Sequence, residues 1–451
     1  MENTNLLGGM TYCLKIFGCQ MNENDGERVA GMLDAQGCMV VDTIEAADIV
    51  VFITCCVREA ADIRLMGQVA SLKNIPPAHE GQPRLVCVGG CIGQRDGQKL
   101  RESLSHVDLV FGTHNLGHLV QLLKRRLETG APVVETIEAN DGFSSDLPAT
   151  RARSWSAWVP IMTGCNNFCT YCIVPYVRGR EESRPLEDIR AELAELAEQG
   201  VMEVTLLGQN VNSYGRDLYG EPRFAEVLHS AAQSGIPRIR FVTSHPKDLL
   251  PETIEAMAAH PSIMPQLHLP LQSGSDRILK AMNRVYDTAR YRQLVADLRA
   301  AIPNISLSTD IIVGFPGETE EDFQATYELV REVGYGQVFT FIYSKREGTP
   351  AAKMEDDTPR ELIQERFDRL VELVQASAYE QNQKELGQLV PVLVEGASKR
   401  DERMLSGKSP KNQTVHAPLP EGVELGELVG TIVNVRIEEA KTWYLRGSLV
   451  R

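Results

Sequence analysis

The stretch Met162–Tyr176 reads Met-Thr-Gly-Cys-Asn-Asn-Phe-Cys-Thr-Tyr-Cys-Ile-Val-Pro-Tyr and contains three cysteines in the spacing CxxxCxxC. Irons of a 4Fe-4S cluster are held by cysteine thiolates, so Cys165, Cys169 and Cys172 fit one cluster and leave one iron open for a small molecule. A zinc site would need a fourth ligand nearby. The next histidine is His229, and no cysteine follows Cys172. Structural disulfides would need an oxidising compartment. The spacing therefore favours an iron-sulfur cluster.

This stretch resembles the signature of the radical S-adenosylmethionine enzymes. The resemblance implies that the open iron binds the amino and carboxylate groups of S-adenosylmethionine. It also implies that an electron from the cluster splits the sulfonium and releases a 5′-deoxyadenosyl radical.

The composition limits the class of protein. The chain has 451 residues, of which 43% are hydrophobic and 24% charged, as expected for a globular protein of several domains. No apolar run reaches the length of a membrane span, and the N-terminus lacks the pattern of a signal peptide. We therefore expect a cytoplasmic protein with no membrane association, in which the ten cysteines stay reduced.

Three cysteines of the N-terminal region each follow a predicted strand. Apolar runs at residues 12–17, 49–53, 85–88 and 107–111 alternate with helical patterns, which predicts a parallel α/β sheet. Cys19, Cys55 and Cys91 follow the first three strands, 36 residues apart in each case. Since the carboxyl ends of parallel strands share one edge, the pattern predicts a second cluster site there. The alternative is that each cysteine is a small buried hydrophobic residue, which is how we interpret Cys13, Cys38 and Cys87.

The remainder of the chain is predicted to form two further domains. Six strand-helix repeats within residues 155–375 predict an open, partial (βα)6 barrel with its chemistry at the carboxyl ends of the strands. Polar residues there include His245 and His268, which are either acid–base residues or structural histidines. A charged helix over residues 360–383 then leads to five short strands, which predict a small β-barrel.

The net charge of −15 argues against non-specific binding of nucleic acid by the whole surface. The segment Lys399–Lys411 is nevertheless locally basic. It indicates either an RNA-binding surface or a solvated charged loop. The candidate RNA-binding residues of this segment are Arg400, Arg403, Lys408 and Lys411.

Taken together, these features resemble the radical S-adenosylmethionine methylthiotransferases over roughly residues 10–451. The resemblance implies an N-terminal methylthiotransferase domain (10–135), a radical domain (150–378) and a TRAM-like RNA-binding barrel (382–451). It also implies that Cys19, Cys55 and Cys91 hold an auxiliary 4Fe-4S cluster and that Cys165, Cys169 and Cys172 hold the radical cluster.

The sequences Phe17-Gly-Cys-Gln-Met-Asn22 and Tyr171–Glu181 resemble the branch that acts on N6-isopentenyladenosine beside the anticodon of tRNA. That branch is expected to place a methylthio group on C2 of the base with the use of two S-adenosylmethionine molecules. One methylates a sulfur attached to the auxiliary cluster, and the other supplies the radical that removes the C2 hydrogen. The open alternatives are a threonylcarbamoyladenosine tRNA, a ribosomal-protein aspartate, or an iron-sulfur RNA-binding protein without catalysis.

The resemblance also assigns further residues. Gly208, Gln209 and Asn210 are expected to hold the methionine part of S-adenosylmethionine, and Gln272, Ser273 and Asp310 its ribose side. Tyr171 is assigned to the same cofactor site. The RNA phosphates are expected to meet Arg178, Arg180 and Arg184. The implied partners are the tRNA anticodon stem-loop, a reduced electron donor such as flavodoxin and iron-sulfur assembly proteins, and we expect a monomer.

At the second strand-end cysteine, this chain departs from the family pattern. Ile53 stands where the family usually has asparagine, and Cys56 stands where serine or alanine is frequent. Cys56 therefore competes with Cys55 as a ligand. Adjacent side chains of an extended segment point in opposite directions, so we expect only one of the two to face the site.

Overall fold

The structure, a computed structural model, describes residues 6–56, 59–79, 81–138, 143–420 and 422–450. Residues 139–142, within the segment that connects the first two predicted domains, lie outside the described part. The chain divides into two compact units. The first comprises residues 1–153, 158–166 and 172–184, and the second comprises residues 154–157, 167–171 and 185–451.

The first unit contains a six-stranded parallel sheet of order β2-β1-β3-β4-β5-β6. Its strands are β1 (Thr11–Ile16), β2 (Met39–Val40), β3 (Ile49–Thr54), β4 (Leu85–Gly90), β5 (Leu109–Phe111) and β6 (Val133–Glu135). Its helices are α1 (Gln20–Asp34), α2 (Glu59–Ser71), α3 (Cys91–Ser103) and α4 (Leu119–Thr129). The predicted parallel α/β domain is confirmed. The sequence did not predict β2 and β6, whose two and three residues are too few to show a period. The equally short β5 was predicted because its apolar run begins at residue 107.

Every residue of β3 and β4 is buried, as expected for strands covered on both faces of a parallel sheet. One apolar cluster packs α1 and α4 on one face and includes Val29, Leu33 and Leu123. A second cluster on the other face includes Leu65, Ile92 and Val110. The sheet therefore gives the carboxyl ends of its central strands a rigid base.

The central strands form two three-stranded sheets of order β11-β10-β7 and β12-β13-β14, together with a short β8-β9 pair. The strands are β7 (Ser156–Pro160), β8 (Met162–Thr163), β9 (Glu182–Ser183), β10 (Glu203–Leu207), β11 (Arg238–Val242), β12 (Gln266–His268), β13 (Ser306–Val313) and β14 (Gln337–Ile342). The helices up to the last strand are α5 (Val174–Val177), α6 (Leu186–Glu198), α7 (Arg216–Tyr219), α8 (Phe224–Gln233), α9 (Pro251–Ala259), α10 (Asp276–Ala281), α11 (Thr288–Ala301) and α12 (Glu320–Val333). All six predicted strands are present.

Helix α13 (Arg360–Gln383) leads to a closed five-stranded barrel of order β15-β16-β17-β19-β18. The barrel is built from β15 (Leu389–Ser398), β16 (Asp401–Lys408), β17 (Thr414–Pro418), the short helix α14 (Leu425–Leu428), β18 (Ile432–Ala440) and β19 (Tyr444–Leu449). The predicted small barrel is therefore confirmed. Among the described residues, no helix is both long and apolar enough to cross a membrane.

Candidate functional site

Three neighbouring strands of the N-terminal sheet are each followed by a cysteine. Cys19 immediately precedes α1, Cys55 follows β3, and Cys91 is the first residue of α3 after β4. Because β1, β3 and β4 are adjacent and parallel, these positions share one edge of the sheet. The side chains of Cys19 and Cys55 are hydrogen-bonded to each other. Cys55 and Cys91 are buried, whereas Cys19 is exposed, so this edge opens to solvent at Cys19.

Gly18 allows this close approach of the first two cysteines. Its φ angle is +122°, and a Cβ atom at this position would lie 2.1 Å from the Cβ of Cys55. Only glycine combines that backbone angle with the absence of a side chain. The backbone beside Cys19 therefore packs directly against Cys55.

Hydrogen bonds favour the thiolate form of two of these cysteines. The hydrogen bond from Cys55 lowers the pKa of Cys19 to about 6. The hydrogen bond from Cys56 lowers the pKa of Cys91 to about 7, although burial opposes the shift. The thiolate is the form that binds metal, so these side chains have the donor chemistry that an iron-sulfur cluster requires.

Cys56 corrects the expectation that only one of two adjacent cysteines faces the site. Cys56 is fully buried, and its hydrogen bond to Cys91 together with burial raises its pKa well above the usual range. Cys55 pairs with Cys19 while Cys56 pairs with Cys91. The alternation rule applies within a strand, but β3 ends at Thr54, so the two side chains are free to turn toward the same edge.

In the first unit, the start of the CxxxCxxC loop is held by a short antiparallel pair of strands. Met162 pairs with Ser183 in β8 and β9, and the N–H of Cys165 donates to the carbonyl oxygen of Gly179 at 3.1 Å. A Cβ atom on Gly164 would lie 1.9 Å from the carbonyl oxygen of Arg180. Gly164 therefore packs directly against the backbone at Arg180, where any larger residue would clash.

In the second unit, the segment around Cys169 is fixed by backbone and arginine contacts. The N–H of Thr170 donates to the carbonyl oxygen of Met282 at 3.0 Å, and the carbonyl oxygen of Thr170 accepts from Ala351 at 2.8 Å. The buried Arg284 places Nη1 3.4 Å from the Cys169 Sγ. Nη2 of the same arginine donates to the carbonyl oxygen of Pro270 at 2.9 Å. Arg284 is therefore oriented toward the Cys169 thiol.

No group of three His, Cys, Asp or Glu side chains in the described ranges has the arrangement that one metal ion needs. A 4Fe-4S cluster takes one cysteine on each of several irons, so this finding concerns sites for a single ion.

The ends of β10 and β11 carry buried polar atoms that lack a hydrogen-bond partner within the described part of the chain. They are Asn210 Oδ1, Asn212 Nδ2, Ser244 Oγ and His245 Nε2. His245 Nδ1 accepts from the Lys247 N–H at 3.2 Å, and burial lowers the pKa of His245 well below its ordinary value. The ring is therefore neutral with its proton on Nε2, where it can donate.

These unpartnered atoms match the chemistry of an α-amino acid. Asn212, Ser244 and His245 offer donors to a carboxylate, and Asn210 offers an acceptor to an ammonium group. The amino-acid end of S-adenosylmethionine carries both groups, so these residues fit it. Sequence reasoning named only Asn210 of the four for this role. The polar residues after β10 and β11 were the signal that could have identified the others.

The remaining cofactor-site predictions lie in different surroundings. Gly208 and Gln209 directly follow β10, beside Asn210. The Oδ2 of Asp310, in β13, lies 3.3 Å from His268 Nε2, so the two predicted polar residues form a pair. Gly208, Gln209 and Asp310 therefore remain candidates for the cofactor site.

Three further candidates make structural contacts. Gln272 is 7% exposed, and its backbone N–H donates to the carbonyl oxygen of Asp310 at 2.8 Å. Ser273 is fully buried, with its hydroxyl 3.2 Å from the hydroxyl of Thr326, which argues against a ribose contact. Tyr171 packs against an apolar cluster that contains Phe315.

Two of the three arginines after the cysteine loop are buried, contrary to the expectation that they meet RNA. Arg178 is 6% exposed and forms an ion pair with Asp25, and Arg184 is 4% exposed and donates to the carbonyl oxygen of Pro160. A buried guanidinium that is already bonded is not available to a phosphate. Arg180 is exposed and remains a candidate for RNA contact.

The basic residues of the C-terminal barrel do not form one loop region. Arg400 lies in the turn between β15 and β16, Arg403 is the third residue of β16, and both are exposed. Lys408 lies at the other end of β16, about 17 Å along the strand from Arg403. Lys411 is ion-paired with Glu385 at 2.6 Å. The hairpin turn is thus the better candidate surface, and Trp443, 56% exposed in the turn before β19, is an aromatic candidate that the charge pattern did not reveal.

Three family models match successive parts of the chain. The Radical SAM superfamily matches residues 159–330, the Uncharacterized protein family UPF0004 matches residues 11–112, and the TRAM domain matches residues 383–450. The fold and the CxxxCxxC loop therefore define a radical S-adenosylmethionine protein with a TRAM barrel.

Curated relatives narrow this class. The chain is 47% identical to the tRNA-2-methylthio-N(6)-dimethylallyladenosine synthase of Acetivibrio thermocellus, over 98% of this chain and 91% of the relative. It is 46% identical to the protein of the same name from Carboxydothermus hydrogenoformans, over 98% of this chain and 99% of the relative. The chain belongs to the tRNA-2-methylthio-N(6)-dimethylallyladenosine synthase family.

Solved structures support the fold. The radical S-adenosylmethionine methyltransferase TsrM from Kitasatospora setae, solved with cobalamin and a 4Fe-4S cluster, matches with a TM-score of 0.55 and 14% identity. The match covers 76% of this chain and 77% of that chain. The cobalamin-dependent radical enzyme OxsB matches with a TM-score of 0.53 and 12% identity, over 82% of this chain and 56% of that one. These similarities confirm the predicted fold class.

Proposed function

We propose that this protein is a tRNA methylthiotransferase that places a methylthio group on C2 of N6-isopentenyladenosine beside the anticodon. The observation that carries the proposal is the identity of 46–47% along 98% of the chain with relatives named for that product. The cysteine loop and the strand-end thiols support it independently, because the reaction requires both radical and sulfur chemistry.

The proposed radical site lies on the CxxxCxxC loop. Cys165, Cys169 and Cys172 would hold a 4Fe-4S cluster, which together with S-adenosylmethionine supplies the radical that activates an inert C–H bond. Arg284 donates to the Cys169 sulfur and so compensates its negative charge.

The chain's own polar residues would orient S-adenosylmethionine. Asn212, Ser244 and His245 would donate to its carboxylate and Asn210 would accept from its amino group, the two groups that the open iron would also bind. Asp248 fixes Asn210, since its Oδ2 accepts from the amide nitrogen at 2.8 Å. Asn210 is thereby held with its free oxygen available to a ligand.

The proposed auxiliary site lies at the strand ends of the N-terminal sheet. Cys19, Cys55 and Cys91 would hold a second cluster, which supplies the attachment point for the sulfur that is transferred. The site is rigid because its three cysteines follow strands of one buried sheet. The exposure of Cys19 gives the sulfur group a route to solvent and substrate.

The barrel after α13 is proposed to bind the tRNA anticodon stem-loop. Arg400 and Arg403 would contact phosphates, and Trp443 would stack on an unpaired base. A reduced protein such as flavodoxin would supply electrons, iron-sulfur assembly proteins would load the clusters, and the protein would act as a monomer in the cytoplasm.

The test is anaerobic turnover of the reconstituted protein with S-adenosylmethionine, a reductant and an anticodon stem-loop that carries isopentenyladenosine. Mass spectrometry should find the methylthio adduct, 5′-deoxyadenosine and S-adenosylhomocysteine. Formation of 5′-deoxyadenosine without the adduct would contradict the substrate and indicate threonylcarbamoyladenosine tRNA or a ribosomal-protein aspartate. Absence of 5′-deoxyadenosine would indicate an iron-sulfur RNA-binding protein without catalysis.

A further inference from the structure

Arg178 lies buried beside the strand-end cysteines of the first unit. It directly follows α5 and is 6% exposed. Its Nη2 atom lies 2.8 Å from Asp25 Oδ2 and 3.1 Å from Asn22 Oδ1. Asp25 and Asn22 both belong to α1, the helix that begins after Cys19. Arg178 therefore joins the helix that follows the first cysteine to a segment more than 150 residues away.

The contacts of Asn22 extend this network to Cys19. Its Nδ2 donates to the carbonyl oxygen of Phe17 at 2.7 Å, which fixes the orientation of the amide. Its Oδ1 therefore points toward both Arg178 Nη2 at 3.1 Å and Cys19 Sγ at 3.8 Å. Asn22 therefore lies between the guanidinium and the Cys19 sulfur.

The same guanidinium acts on two cysteines from non-adjacent strands. It hydrogen-bonds the Cys91 side chain, and its positive charge interacts with the sulfurs of both Cys91 and Cys19. Cys19 and Cys91 follow β1 and β4, which β3 separates, so the strand ends lie about 10 Å apart. The guanidinium therefore lies close enough to both sulfurs for its charge to act on each of them.

The charges indicate what Arg178 does there. Burial of an arginine is costly unless its charge is compensated. Asp25 compensates one unit of charge, and within the described residues the guanidinium also interacts with Asn22 and with the sulfurs of Cys91 and Cys19. A fixed positive charge beside a thiolate-ligated cluster favours the reduced cluster, and a fixed negative charge opposes it.

We propose that Arg178 is a positioning residue of the N-terminal cysteine site. It holds the negative charge of the Cys19 and Cys91 sulfurs and raises the reduction potential of the cluster that they bind, and Asp25 acts as its counter-charge. This inference rests on the proposed auxiliary cluster. It replaces the expectation that Arg178 contacts RNA phosphate.

The test uses full-length protein in which Cys165, Cys169 and Cys172 are changed to alanine, so that only the N-terminal cluster contributes to the spectrum. Arg178→Gln, Arg178→Lys and Asp25→Asn are made in this parent, and iron content and the midpoint potential are measured by a redox titration. Arg178→Gln should shift the potential to more negative values, Asp25→Asn should shift it to more positive values, and Arg178→Lys should stay near the parent.

If the two side chains act through their charges, loss of the positive charge and loss of the negative charge shift the midpoint potential in opposite directions. A purely structural role would not give shifts of opposite sign. Loss of iron in Arg178→Gln with retention in Arg178→Lys would also support the inference. Unchanged potentials at full iron content, or shifts in the same direction for Arg178→Gln and Asp25→Asn, would overturn it, as would iron loss in both arginine variants. A parent without iron would instead contradict the auxiliary cluster of the proposed function.

Discussion

The cysteines of the loop site lie within eight residues, whereas those of the strand-end site are each 36 residues apart. The loop site is local, so its spacing alone predicts its chemistry. The strand-end site exists only when β1, β3 and β4 pair in parallel, so its geometry depends on the whole N-terminal domain. The two proposed sites therefore differ in origin, because one depends on a short motif and the other on sheet topology.

Each site also has one buried arginine, with different counter-charges. Arg178 is paired with Asp25 at 2.8 Å. Arg284 contacts the Cys169 sulfur, a carbonyl oxygen and Tyr286, and it has no carboxylate partner within the described residues. The positive charge is therefore less compensated at Cys169 than at Cys91 and Cys19.

The largest expected effect is a clean separation of products. The triple change of Cys165, Cys169 and Cys172 to alanine should abolish both 5′-deoxyadenosine and the methylthio adduct. The triple change of Cys19, Cys55 and Cys91 to alanine should abolish the adduct but retain 5′-deoxyadenosine, because the radical site is intact. Product analysis by mass spectrometry measures both. Adduct formation by the second variant would show that the strand-end site is not needed.

Gly18→Ala should break the strand-end site while sparing the loop site. The new Cβ would lie 2.1 Å from the Cβ of Cys55, and alanine at positive φ costs about 1 kcal/mol in addition. Iron content should fall by about half, since one of two four-iron clusters is lost. Gly9→Ala is the matched control, because Gly9 has a φ of +80° but no atom near its Cβ position. Full iron in Gly18→Ala would contradict the close packing.

Arg284→Gln should weaken the loop site alone. Loss of the charge-assisted hydrogen bonds to Cys169 and Pro270 is expected to destabilise the segment around Cys169 by about 2 kcal/mol. Iron at the loop site should be released faster to a chelator, with a matching fall in 5′-deoxyadenosine. Arg292→Gln, which removes an exposed pair with Glu332, serves as the control and should behave as wild type. If Arg284→Gln and Arg292→Gln release iron at the same rate, Arg284 does not stabilise the loop site.

Cys56→Ala should retain the strand-end cluster, whereas Cys55→Ala should lose it. Cys56 keeps its proton while Cys91 tends toward the thiolate, so Cys56 is the donor of the pair. Its replacement should lower the free energy of unfolding by about 1 kcal/mol, from lost packing. Iron analysis of the two variants shows whether Cys55 or Cys56 is the ligand. Loss of iron in Cys56→Ala would make Cys56 a ligand.

The smallest effect concerns protonation. In iron-free protein, alkylation of Cys19 by iodoacetamide should reach half its maximum rate near pH 6, because its pKa is about 6. An unperturbed thiol would do so near pH 8.5. Cys55→Ala should move the midpoint upward, since it removes the hydrogen bond that contributes most to the shift. A midpoint that stays the same in this variant would contradict the pairing.

Much of this arrangement could be predicted from sequence. The spacing of Cys165, Cys169 and Cys172 is visible directly, and the placement of Cys19, Cys55 and Cys91 follows from strands that read as apolar runs. The contact between Arg178 and Asp25 could not be predicted, because the residues are 153 positions apart and only the folded first unit brings them together. From its charge alone, Arg178 was interpreted as a phosphate contact.

The polar group at the ends of β10 and β11 was partly predictable. Asn210 was identified from its position after a strand, but His245 was interpreted as more typical of a structural histidine. Its Nε2 has no partner because Nδ1 already accepts the N–H of Lys247 two residues later, a detail of loop geometry that the residue types do not reveal.

The central claim, that two separate cysteine sites each hold a cluster, is tested most directly by iron analysis with Mössbauer spectroscopy of anaerobically reconstituted protein. We predict about eight irons in the wild type and about four in each triple cysteine variant, all in 4Fe-4S clusters. A wild type with about four irons, or a loop variant that loses all of its iron, would contradict the claim.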